Sequence, residues 1–203
     1  MKKHLSGLAA AVLVASSLAG HSASAAQSDP AAATVEGFDN SLIAAMKGGK
    51  ALGPSGRARQ LTPAVERAFD LPTMTSFAVG PAWSGFSPAQ KSQVIAAFTR
   101  LSVASWAHNF DSYSGEQFVI DPKVQTRGSD KVVSAKLVHG GGAPVNLVYR
   151  MRQAGGSWKV IDVFYNNVSQ LTTRRSDLAS TVSSGGAAGV TAKLNQMAEN
   201  LLK

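Results

Sequence analysis

The residue in this sequence best placed to do chemistry is Asp162, the one acid in SWKVIDVFYNNVSQLTTRR (Ser157 to Arg175). A regular strand here would put Trp158, Val160, Asp162 and Phe164 on one face and Lys159, Ile161, Val163 and Tyr165 on the other, so that neither face is polar. A carboxyl in apolar surroundings is pushed toward its neutral form, which suits general acid or base work, with Tyr149 as a hydroxyl partner. The competing reading is structural: an aspartate at a strand end accepts hydrogen bonds from the backbone N–H groups that follow, or from Ser169. The structural reading of Asp162 and Ser169 is favoured.

Other chemistries have less to draw on. Of the four histidines, only His108 and His139 lie beyond residue 25, one near a helix end and one beside a glycine turn. No G-x-S-x-G, H-E-x-x-H, phosphate-binding glycine loop or D-x-D pattern occurs, and there is no cysteine. Disulfides and thiolate metal sites are therefore excluded, and neither a metal nor a cofactor is expected. Arg174 and Arg175 are open to two readings. They are a solvated pair in a helix start, or a contact for a lipid headgroup or partner, since the guanidinium fork suits phosphate.

The N-terminus has the three-part form of a secretory signal: basic Lys2, Lys3 and His4, an apolar run from Leu8 to Leu18, and Ala23-Ser24-Ala25 as a cleavage site. Cleavage after Ala25 leaves 178 of the 203 residues, enough for one domain with a sizeable core. It also leaves 18 basic against 12 acidic residues, a net charge of +6. The basic residues are scattered, with Arg57/Arg59, Arg150/Arg152 and Arg174/Arg175 as the close pairs. This argues against nucleic acid and for anionic headgroups or an acidic protein surface. A cleaved signal, no later membrane-length apolar run and no cysteine for a lipid anchor together imply a soluble periplasmic protein.

Residues 26–34 read as a flexible lead-in and 35–203 as one domain. Val35, Phe38, Leu42, Ala45 and Met46 fall on one helical stripe that ends at Gly48-Gly49, and Leu61, Val65 and Phe69 mark a second helix. A short turn carries Met74, Phe77 and Val79. Ser87-Pro88-x-Gln90 is a capping box for a long helix whose stripe includes Val94, Phe98, Leu101 and Ser105, with Trp106 beside it. The period then changes to that of strands: Gln117 to Asp121, Val124 to Arg127, Val132 to His139, Val145 to Gln153 and Trp158 to Tyr165, joined by short turns. Two helices parted at Gly185-Gly186 close the chain. This order implies an α+β fold in which an antiparallel meander of four to five strands packs against several helices.

One sheet needs only one apolar face to hold its helices, yet the strands here offer more. That excess is what an apolar pocket requires. The candidate lining residues are Phe69, Phe77, Trp83, Phe98 and Leu101 from the helices, and Val133, Leu147, Tyr149, Val160, Val163 and Phe164 from the strands.

Four blocks in order, FDLPTMTSFAVGPAW (Phe69 to Trp83), SPAQKSQVIAAFTRL (Ser87 to Leu101), PVNLVYRMRQAGGSWKVIDV (Pro144 to Val163) and NVSQLTTRR (Asn167 to Arg175), resemble the MlaC-type periplasmic lipid carriers, also called toluene-tolerance auxiliary proteins, with their hopanoid-associated HpnM branch. The resemblance implies a non-enzymatic, monomeric carrier with a cavity between a curved sheet and helices, cone-shaped in the manner of NTF2-like folds. Its ligand would be a phospholipid or a hopanoid. Its partners would be an MCE-domain subunit of an inner-membrane ABC transporter and an outer-membrane lipoprotein complex. Where the family often has glycine and aromatic residues, this chain has Asn167, Arg174 and Leu178.

Overall fold

A computed structural model describes residues 29–140 and 142–203. The signal and cleavage site read at residues 1–25 lie outside the described residues, as do residues 26–28 of the lead-in. From Pro30 onward the lead-in is helical. Asp29 caps α1 (Pro30–Ala68) by accepting from the N–H of Ala31 at 2.9 Å, Pro30 supplies the first turn, and Ala31 is buried. Asp-Pro followed by three alanines is a helix start, and the stripe begun at Ala31 continues through Val35, Phe38, Leu42, Ala45 and Met46. The helix is broken at Gly49 (φ 46°) and Gly53 (φ 62°), both left-handed and so suited to glycine. Arg57 holds the break closed: its Nε donates to the Ala107 carbonyl at 2.9 Å and a terminal nitrogen donates to the Gly49 carbonyl at 3.0 Å.

Asp70 caps α2 (Leu71–Val79), a 3₁₀ turn covers Gly80–Gly85, and Ser87 with Gln90 makes the reciprocal capping box of α3 (Pro88–Asn109). Six strands follow: β1 (Gln117–Ile120), β2 (Gln125–Arg127), β3 (Asp130–Val138), β4 (Val145–Ala154), β5 (Ser157–Tyr165) and the short β6 (Val168–Ser169). Helix α4 (Gln170–Leu201), broken at Gly186, ends the fold. The sheet is antiparallel, in the order β1-β3-β4-β5-β6, with β2 also on β3, so β1 and β2 lie end to end along one edge rather than forming a simple meander. The α+β architecture and the curved sheet agree with the sequence reading, with β6 as an addition.

Regular alternation fails in β5. Tyr149 pairs with Val163 and Arg150 with Asp162, but Met151 pairs with Val160, so Ile161 is an extra residue in a bulge. Val160 therefore shares the helix-facing side with Val163 and Tyr165, while Asp162 and Phe164 lie on the other side, contrary to the uninterrupted pattern. The α1–α2 corner docks at this bulge, where the Asp70 N–H donates to the Val160 carbonyl at 2.9 Å.

Candidate functional site

The helix-facing side of the sheet is covered in two ways. At one end α1 lies over Val133, Tyr149, Met151 and Val160, all fully buried. Phe38 packs edge-on against Phe69 and Trp106, each at 4.9 Å between centroids, and against Tyr149 at 6.4 Å. At the other end, between the sheet, α3 and the start of α4, a cavity of about 490 Å³ remains. Phe69, Met74, Phe98, Leu101, Trp106 and Phe110 line it from the helices, and Leu137, Val145, Leu147, Val163 and Tyr165 from the strands. Leu171 adds an apolar contact from α4.

The stripe on α3 that faces this space runs 98, 101, 102, 105, 106 and 109, the spacing of one helix face, and it turns polar through Ser102, Ser105 and Asn109. Gln170 and Arg174 complete the polar part. Among the described residues, Arg174 is the only charged one in the lining. It reaches Asp177 at 3.3 Å and the sulfur of Met197 at 3.7 Å, and burial lowers its pKa below the usual arginine value.

Asp162 accepts from the Ser169 hydroxyl at 2.7 Å and the Leu171 N–H at 3.2 Å, while Ser169 Oγ accepts from the Thr172 N–H at 3.0 Å. The pair thus fixes where α4 leaves the sheet and so where Gln170, Leu171 and Arg174 meet the cavity. Tyr149 does not approach Asp162. By strand register it lies on the opposite face, and its hydroxyl donates to Asp39 at 2.8 Å. Asp39 is 2% exposed and its second oxygen has no hydrogen-bond partner; burial pushes its pKa up to about 7. Burial, and then the neighbouring Asp39, push the Tyr149 hydroxyl above its ordinary range.

Of the lining residues expected from sequence, Phe69, Phe98, Leu101, Leu147 and Val163 border the cavity, as does Arg174. The others do not. Val133, Tyr149 and Val160 are sealed beneath α1, and the bulge turns Phe164 to the far face. Phe77 is 45% exposed and outside the lining, with the Arg175 guanidinium 5.2 Å over its ring. Trp83 packs on Phe86 at 6.0 Å in the 3₁₀ turn. The adjacent arginines are thus separated, Arg174 to the cavity and Arg175 to the surface. The other basic pairs serve the fold: Arg57 ties two helix ends, and Arg150 and Arg152 clamp the buried Asp130, holding its pKa below the usual range, Arg152 foremost.

His108 and His139 are exposed and outside the cavity. Among the described residues no cluster of three or more His, Cys, Asp or Glu is placed to hold a metal ion, and no helix is long and apolar enough to cross a membrane. Sequence reasoning missed Ser102, Asn109, Tyr165 and Gln170 in the lining, and Asp39 altogether. Continuing the Phe98, Leu101, Ser105 stripe by threes and fours would have found the first two. Asp39 is four residues from Val35 and three from Leu42, an acid on an otherwise apolar stripe.

An apolar space with one polar, cationic side suits an amphiphile, with its tail among the aromatics and leucines and its polar group toward α3 and α4. An α+β domain with such a cavity is the class that the fold and site define. The chain belongs to the MlaC protein family, whose profile matches residues 36–196. Its fold is similar to that of a phospholipid-binding protein from Ralstonia solanacearum, solved in complex with a phospholipid. The TM-score is 0.72 at 24% identity, over 86% of this chain and all of that one.

Proposed function

We propose that this protein is a soluble periplasmic carrier that takes up a phospholipid, or a related lipid such as a hopanoid, in the cavity between β3–β5, α3 and α4. The observation that carries this reading is the apolar cavity with a polar side, in a chain of the MlaC family whose fold is shared by a protein crystallised with phospholipid. A methylene needs roughly the 30 Å³ that a water occupies in the liquid, so 490 Å³ has room for at least one long acyl chain. Each methylene transferred from water contributes about 0.8 kcal/mol, so one chain is enough for firm binding without covalent chemistry.

In this reading Arg174 contacts the headgroup, and Asp162 with Ser169 acts indirectly by anchoring the α4 start. The lipid passes between an outer-membrane lipoprotein complex and an MCE-domain subunit of an inner-membrane ABC transporter. Release requires the cavity to open against a partner, because tight binding alone would trap the cargo. Protein purified gently and extracted with organic solvent should yield about one lipid per chain by mass spectrometry. Lipid-free protein that also takes up none from vesicles would overturn the reading.

A further inference from the structure

We infer that the cavity selects lipids whose headgroup carries a net negative charge, and that Arg174 is the selecting residue. This rests on the carrier reading above and adds the class of cargo. Among the described residues the lining holds one cation and no carboxylate. Arg174 is mostly withdrawn from water, and its acidic neighbour, Asp177, lies outside the lining with 43% of its side chain exposed. One 3.3 Å contact to a solvated carboxylate leaves most of the guanidinium's five donors unengaged by acid. Its other neighbour, the Met197 sulfur, is a weak acceptor. Burial also lowers the guanidinium's pKa, as expected for a cation that lacks full compensation in this structure.

Among the described residues no other cation lines this side, so the neutral polar groups Ser105, Asn109 and Tyr165 leave the charge to Arg174. Two N–H groups in the first turn of α4 are engaged, Leu171 with Asp162 and Thr172 with Ser169, so neither is offered to a headgroup. Ser102 donates its hydroxyl proton to the Phe98 carbonyl. A phosphate with no cationic substituent gains the guanidinium's charge-assisted hydrogen bonds outright. A zwitterionic headgroup brings an ammonium into the same neighbourhood. No lining carboxylate receives it there among the described residues, and Asp177 lies outside the lining.

The test loads delipidated protein from vesicles containing equal amounts of phosphatidylglycerol and phosphatidylethanolamine with the same acyl chains, re-isolates the protein, and counts bound lipid by mass spectrometry. Wild-type protein should hold phosphatidylglycerol in about 5- to 10-fold excess, the size of one charge-assisted contact. Arg174→Gln should bring the ratio to about 1–2, and Arg174→Lys should fall between. Arg127→Gln removes the same charge from exposed β2 and should leave the ratio unchanged, which separates local recognition from net charge. Equal uptake by wild-type protein overturns the inference without any variant, as does an unchanged excess in Arg174→Gln. Absence of any bound lipid overturns the carrier reading and the inference with it.

Discussion

Leu147 and Tyr149 are two residues apart on the same face of β4, yet Leu147 borders the cavity and Tyr149 is sealed in the core. The strand treats them alike; what differs is the helix opposite. Over Tyr149, α1 brings Phe38 and Asp39, whose ring and carboxyl pack on it and leave it fully buried. Over Leu147, α3 presents a stripe that shrinks to Ser102 and Ser105, and the space stays open. A cavity in this fold is thus made by small residues on the facing helix more than by special residues on the sheet.

Truncating a ring at each end is the strongest way to break that comparison. Phe38→Ala should cost about 3–5 kcal/mol, since the ring touches three aromatic neighbours in a region with no room to relax. Phe98→Ala should cost about half as much, because part of that ring already faces the cavity. Urea denaturation of both variants checks this, and equal losses would mean that the two ends are packed alike.

The filled end also contains the buried acid, and pH should single it out. In the folded protein Asp39 keeps its proton up to about pH 7, against 3.8 for the ordinary group. Between those values the folded state holds one more proton than the unfolded state, so this site's contribution to stability declines as pH rises from about 4 to 7. The decline should be on the order of 3 kcal/mol. Asp29, Glu116 and Asp130, with lowered pKa values, act in the opposite sense and lose stability as pH falls through their folded values. The relevant measurement is therefore the difference between wild-type and Asp39→Asn, which keeps an acceptor for the Tyr149 hydroxyl. A difference that does not change with pH would show that Asp39 is ionised in the fold throughout.

What could be read from sequence divides along the same line. Local signals were legible: the Ser87/Gln90 capping box, the glycine breaks, the strands, and Asp162 held by Ser169 and a following N–H. Features that depend on a second element were not. The Ile161 bulge exists only in the register between β4 and β5, and with it moved the face assignment of Val160 and Phe164. Val133 and Leu137 share one face of β3, but only the position of α1 decides that the first is core and the second is lining. Asp29 was misread for another reason: next to alanines and a predicted leader it looks like a tail, although it is a sound helix cap.

The smallest effect on stability, and the sharpest on cargo, should come from closing the open end. Ser105 lines the cavity from the middle of the α3 stripe and is half-buried, so Ser105→Phe directs a ring into empty space rather than into packed atoms. Its cost to the fold should stay below about 1 kcal/mol, because filling a void offsets the small loss in helix propensity. Lipid recovered by extraction should fall sharply, while the pH response of Asp39 at the filled end stays as it was. A Ser105→Phe protein that retains a full complement of lipid would place the cargo elsewhere and remove the functional meaning of the difference between the two ends.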